Sequence, residues 1–197
     1  LNTGISTNNI IGEILPVRDF PNSQMLELGG YFQDEINFDN NKTTLIAAIR
    51  YESYQLDTKP DSIFLSDNPT LNIVDVDESN ISPKLGVLYK WDDDVTLFSH
   101  YSKGFRSPPL EDVNIGFTIP LFNYTAIPNP DLKPETSDGM ELGYRYHTAT
   151  AAISVAGFYN EYKNLIESRV NLGIDPISGQ LTFQSQNRDT AEIYGIE

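Results

Sequence analysis

From Leu45 the chain alternates with a period of two residues. Leu45, Ala47, Ile49 and Tyr51 fall on one side of an extended strand, and Arg50 and Glu52 fall on the other. The same pattern returns at Leu85, Val87, Tyr89 and Trp91 against Lys84, Gly86 and Lys90, and again at Met140, Leu142, Tyr144 and Tyr146 against Glu141, Gly143, Arg145 and His147. A period of two is the signature of a β-strand with two unlike faces. The second face is too charged and too rich in glycine for the inner layer of a sandwich, which needs apolar side chains from both sheets. No apolar stretch reaches the roughly 20 residues that a membrane-spanning helix requires. A transmembrane β-barrel remains open, because only every second residue of its short strands meets lipid.

Weaker runs over 23–37, 95–103, 150–168 and 181–197 bring the expected total to about seven strands, several longer than the ~5–6 residues usual in soluble sheets. Candidate helix caps are not followed by a sustained 3.6-residue stripe. Short connections are expected at 39–42, 92–94 and 147–149, and long ones over 58–81, 104–136 and 170–179. Short turns at one end of the strands and long loops at the other are the layout of an outer-membrane barrel. Tyr89 and Trp91 stand beside Asp92, Asp93 and Asp94, where an interfacial aromatic girdle belongs. The periodicity is equally compatible with a soluble all-β domain whose strands are half buried.

Composition then narrows the function. With 28 acidic against 13 basic side chains, the formal net charge of −15 disfavours a nucleic-acid partner, since few cations are available to displace counterions from phosphates. Cysteine is absent, so disulfides, thiolate metal sites and cysteine nucleophiles are excluded within the chain. No zinc-protease, serine-hydrolase, nucleotide-loop or dinucleotide motif occurs, and an enzyme is not expected. The acidic pairs Glu111-Asp112 and Asp75/Asp77/Glu78 have no partner base, and the latter fails the pattern of a calcium loop. The two histidines are the obvious metal or heme candidates. His147 abuts a short turn, and His100 is expected near the outer end of a strand.

The segment 103–135 is the informative one. Pro108, Pro109, Pro120, Pro128, Pro130 and Pro134 remove backbone donors and fix φ, so it is expected to be neither strand nor helix. Phe105, Phe117, Phe122 and Tyr124 make it too aromatic for a disordered linker. Such a loop packs on itself and presents a surface, either to a ligand or to the rim of the sheet.

Phe105-Arg106-Ser107-Pro108 and Asn129-Pro130-Asp131-Leu132 resemble the paired FRAP and NPDL boxes of TonB-dependent outer-membrane receptors. The text around them agrees: YSKGFRSP, NPDLKPETSDGMELGYRY, AGFYNEYKNLIESR and the closing AEIYGIE. DVNIGF and FQSQNRDTAEIYGIE look most like the hemoglobin/transferrin/lactoferrin receptor branch. The resemblance covers most of the chain after about Met25. It implies a fragment of an antiparallel transmembrane barrel of about 22 strands with a separate N-terminal plug. It further implies uptake of heme or heme-protein iron across the outer membrane of a Gram-negative bacterium, energised by the TonB complex through the plug. Heme would be a transported ligand and not a permanently bound cofactor, and the partners would be hemoglobin or another iron source together with outer-membrane lipid.

On this resemblance all of residues 1–197 belong to the barrel domain, and the plug and further strands lie outside the chain. No leader is visible after Leu1, and the chain reads as an interior piece. Candidate ligand-binding residues in the loop are Phe105, Arg106, Phe117, Phe122, Tyr124, Asn129 and Asp131. Heme receptors of the branch commonly carry a histidine between the two boxes; this chain has none between Arg106 and Asn129. Tyr124, as a phenolate, or His100 is then the candidate heme ligand. Arg50, Glu52, Glu141 and Arg145 are expected to face the lumen. The rival readings are a receptor of the same family for a siderophore or another nutrient, and a soluble β binding module.

Overall fold

A computed structural model describes residues 5–6 and 16–197. Residues 1–4 and 7–15, which hold most of the stretch after Leu1 read above as lacking a leader, lie outside the described residues. Two short strands, β1 (Ile5–Ser6) and β2 (Val17–Arg18), pair with each other. The rest of the fold is one sheet. Its long strands are β3 (Ser23–Phe38), β4 (Thr43–Thr58), β5 (Val76–Lys90), β6 (Val95–Arg106), β9 (Glu135–His147), β10 (Ala152–Ile174) and β11 (Leu181–Ile196). These seven are neighbours in chain order and antiparallel throughout, as the alternation requires. The small strands β7 (Phe117–Ile119) and β8 (Tyr124–Ile127) extend the sheet beyond β11, giving the order β3-β4-β5-β6-β9-β10-β11-β8-β7.

The pairing register gathers most of the aliphatic side chains of the long strands on one face of the sheet. One row reads Ile36, Leu45, Val87, Ser99, Leu142, Gly157, Ile196, and the next reads Asp34, Ala47, Leu85, Tyr101, Met140, Tyr159, Tyr194, with Asp34 as its one charged member, on the first strand, β3. On this face Leu142 is 68% exposed and Ile196 82%. A continuous apolar surface of this size has lipid as its solvent. The reverse face carries Arg50, Glu52, His100, Glu141, Arg145 and glycines, and it is the lumen side. There Phe98 covers Gly143 and Phe158 covers Gly195, which lets a bulky ring lie flat on the neighbouring strand. Arg145 in turn stacks over Phe98 at 5.1 Å.

Aromatic residues bound the apolar band at both ends. At the short-turn end, Tyr89 and Trp91 meet edge to face at 6.3 Å, and Lys42 sits 5.5 Å over Tyr89. At the loop end, the hydroxyl of Tyr101 donates to Asp138 (2.5 Å) and that of Tyr159 donates to Glu192 (3.0 Å). The ring faces lipid and the hydroxyl reaches the polar layer, as an interfacial tyrosine must. Along β9 the apolar side from Met140 to Tyr146 spans roughly 20 Å at the rise of an extended strand. That is close to the ~25 Å band of known barrels.

The short turns fall where the sequence places them. Asp39, Asn40 and Asn41 take the left-handed conformation at φ 51°, 53° and 69°, a region that Asn and Asp tolerate better than other side chains. Three loop expectations need correction. The connection over 58–81 is shorter, because it folds a helix α1 (Ser62–Asp67) capped by Asp61 and β5 already begins at Val76. Half of the connection over 170–179 is strand: β10 continues to Ile174, through register shifts between Glu167 and Val170, where Arg169 holds φ at 55°, and between Asn171 and Gly173. Such bulges break the alternation that makes a strand legible.

The segment 104–136 is the third. It holds a short helix α2 (Leu110–Val113), β7, a single 3-10 turn (Pro120–Phe122) and β8. Its prolines stand at element edges, with Pro109 as the cap of α2 and Pro120 opening the 3-10 turn, so they punctuate structure instead of abolishing it.

Candidate functional site

Above the apolar band the loops close over the sheet as one connected layer. Asp75 accepts from the amide (2.7 Å) and the hydroxyl (2.8 Å) of Thr58, which holds its carboxyl below the ordinary aspartate range and ties the two feet of the α1 loop together. Asn114, with no exposed surface, donates to the carbonyl of Val74 (2.8 Å) and accepts from its amide (2.8 Å). That two-sided clasp joins the loop 107–134 to the α1 loop. Gly116 donates its amide to Asp19, and Asn68 donates to the carbonyl of Arg18 (3.2 Å), so the segment around β2 is bound into the same layer. Buried Arg18 pairs with Asp61 at 3.0 Å.

The loop 107–134 folds back onto β10 and β11. Strand β8 runs parallel to the start of β11, pairing Tyr124 with Leu181 through Ile127 with Gln184, and β7 pairs antiparallel on its other side. Below, Ser185 donates to the buried carboxylate of Asp112 at 2.6 Å. A cavity of about 810 Å³ opens beneath the start of the loop. Arg50, Glu52 and Tyr54 of β4 line one wall, and Phe105, Arg106 and Glu111 line the other. Arg50 is neutralised by Glu52 at 2.7 Å.

The sequence-derived residues scatter over three environments. Phe117 and Tyr124 come together, their rings 6.0 Å apart, and Phe183 of β11 stacks on Tyr124 at 4.8 Å. Phe122 stands on the outer turn, 71% exposed. Arg106 and Asn129 instead bind protein groups: Arg106 meets Glu135 at 3.1 Å, and Asn129 donates to the carbonyl of Ser185 at 2.8 Å. Asp131 is exposed and gives its amide to the Asn129 side chain at 3.0 Å.

His100 corrects its expected position. It lies midway along β6 on the lumen face, with Nδ1 3.6 Å from Glu141. The strand continues to Arg106, past the serine, lysine and glycine that blurred its end in the sequence. His147 sits at the short turn as expected, and its amide donates to the carbonyl of Asp94. Among the described residues no group of three or more His, Cys, Asp or Glu side chains is placed to hold a metal. Asn114, Ser185 and Asn187 were not singled out from the sequence. Their partners are distant in the chain, and no spacing announces them.

The sheet is long-stranded and antiparallel, with a lipid face and a polar lumen face, and the sequence matches the family model of the TonB dependent receptor-like beta-barrel over residues 2–197. The chain belongs to this family. Among its relatives, hemoglobin and hemoglobin-haptoglobin-binding protein B of Haemophilus influenzae is 32% identical over 136 residues, covering 66% of this chain. A hemin receptor of Yersinia pestis is 28% identical over 192 residues, covering 89% of it. The chain spans 12% of the first relative and 26% of the second.

Two solved receptors share the fold. One is the Serratia marcescens hemophore receptor HasR, in complex with its hemophore HasA and heme: TM-score 0.64, 22% identity, 88% of this chain and 31% of that one. The other is the siderophore receptor PirA of Pseudomonas aeruginosa: TM-score 0.64, 22% identity, 89% of this chain and 30% of that one. The family is one of receptors, and the TonB-dependent barrel accounts for both faces of the sheet.

Proposed function

We propose that residues 1–197 form part of the barrel wall and outer loops of an outer-membrane receptor that takes up heme or heme-protein iron into a Gram-negative cell. Transport would be driven by the TonB complex through a plug outside this chain. The observation that carries the reading is the folded loop 107–134, which presents Phe122 outward and stacks Phe117, Tyr124 and Phe183 beneath it. Aromatic faces of this kind suit a flat, apolar macrocycle. The named functions of the Haemophilus and Yersinia relatives support the same ligand class. The receptor binds and transports its ligand without chemical change, and heme is its cargo.

Titrating the full-length receptor with hemin and with hemoglobin tests the reading. Saturable binding of either is expected, and binding of neither sinks it. Within the loop, Tyr124→Ala is expected to weaken hemin capture more than His147→Ala, because His147 lies at the opposite end of the strands. Equal affinities for both variants and the parent would remove Tyr124 from the site. His100, on the lumen face beside Glu141, is the second candidate ligand and would meet heme only after it leaves the loops.

A second reading, uptake of a siderophore or another nutrient, is favoured by one feature: no histidine stands between Arg106 and Asn129. The fold is equally close to the siderophore receptor PirA. Saturable binding of a ferric siderophore, with none of hemin or hemoglobin, would establish it.

A further inference from the structure

The two boxes recognisable in the sequence are spent on the protein itself. Asn129 uses its amide nitrogen on the carbonyl of Ser185 (2.8 Å) and its amide oxygen on the backbone of Asp131 (3.0 Å). Beyond the box, Asn187 clasps Lys133 from both sides, accepting its amide at 2.8 Å and donating to its carbonyl at 2.9 Å. Arg106 binds Glu135 at 3.1 Å, and the other oxygen of Glu135 accepts the amide of Ile166 on β10 at 2.6 Å. Both feet of the loop are thereby fixed to the β10–β11 hairpin.

We propose that Arg106, Asn129 and Glu135, with Asn187 and Ser185 opposite them, are positioning residues that lock the loop to the hairpin. Ligand contact falls to the outer turn at Phe122 and the aromatic stack at Tyr124. The proposal rests on the reading that this loop captures ligand. Its physical basis is that each of these side chains satisfies a backbone group or a charge that would otherwise be orphaned, so turning to a ligand would cost the loop its anchor. A loop held in its bound shape before the ligand arrives loses less entropy on binding, and affinity rises without any new contact.

Chain chemistry supplies a rescue that separates positioning from contact. Thr125 of β8 and Thr182 of β11 are buried and paired side by side in the ladder, and the chain has no cysteine. The pair Thr125→Cys/Thr182→Cys, oxidised, would pin the loop by a covalent bond in place of the box contacts. In the full-length receptor, with normal barrel assembly checked by heat-modifiable gel mobility, Asn129→Ala is expected to speed amide exchange at Thr125, Ala126 and Ile127 at least tenfold. It is also expected to weaken hemin or hemoglobin binding about tenfold. The disulfide should restore both. Asn187→Ala, which touches no box residue, should behave the same way and serves if Asn129→Ala fails to assemble.

Weakened binding without faster exchange, or without rescue by the disulfide, would mean that Asn129 touches ligand and would overturn the proposal. So would exchange that is unchanged in both variants. If the parent receptor binds neither hemin nor hemoglobin, the functional reading fails, while the exchange measurement still decides whether the boxes hold the loop.

Discussion

Phe98 lies across Gly143 on the lumen face of the sheet, so close that a methyl group added to the glycine would overlap the ring. Arg145, stacked over the same ring at 5.1 Å, prevents it from lifting away freely. Gly143→Ala should therefore act as overpacking and cost about 1–3 kcal/mol. Urea unfolding of the receptor refolded in detergent would measure it. In the background Phe98→Ala the same glycine substitution should become nearly neutral. An equal cost in both backgrounds would show that the glycine is needed for its backbone and not for the ring.

Much of the wall was legible because its rule is local. Leu45 to Glu52 and Met140 to His147 announce both the strand and its lipid face through period two alone, and lipid relieves the greasy face of any need to pack. The loop layer obeys no local rule. Asn114 and Val74 are 40 residues apart, and Ser185 and Asp112 are 73 apart, so neither partner carries a sign of the other. Tyr124 was visible as an aromatic residue in a proline-rich loop, but Phe183, which completes its stack, lies on a different strand. The register shifts between Glu167 and Val170 and between Asn171 and Gly173 concealed the top of β10 for a related reason: an inserted residue reverses which side chains face out.

Lipid and lumen faces should respond in opposite ways to the same charge. Leu142 lies midway along the apolar band, between Asp138 and Tyr146, and is 68% exposed on the lipid face. Leu142→Arg should cost roughly 2–4 kcal/mol, the penalty of a cation near the midplane. Gln33→Arg, on the lumen side of β3 opposite Ala48, should be tolerated within measurement error. Folding into vesicles followed by heat-modifiable gel mobility reports both. A tolerated arginine at Leu142 would reverse the assignment of the faces.

Asn114 should behave as the rivet between two loops. Asn114→Ala leaves the amide and carbonyl of half-buried Val74 without their partner, at about 1 kcal/mol, the low end for a stranded group that water can partly reach. The loss should be local, because the bonded wall strands do not depend on it. Limited proteolysis should cut the α1 loop faster while the barrel itself keeps its thermal stability. A fall in barrel stability with no change at the loop would show that the clasp supports the wall instead.

The hairpin tip carries a pH-sensitive element. Asp175 accepts from the hydroxyl of Ser178 (2.6 Å) and from the amides of Ile177 and Ser178 (both 3.2 Å), and these bonds hold its carboxyl below the ordinary aspartate range. The folded turn thus favours the charged form. Its contribution is complete above the aspartate value of the open chain, and it is lost as pH falls through the depressed value. The turn should stay closed at neutral pH and open only under acid, exposing the amides of Ile177 and Ser178 to exchange. Asp175→Asn keeps an acceptor of similar shape but cannot titrate, so its exchange should lose this acid-dependent opening. Ile177, 95% exposed at the tip, gives a side-chain signal that reports opening without disturbing it. Identical acid profiles for the parent and Asp175→Asn would place the controlling group elsewhere in the hairpin.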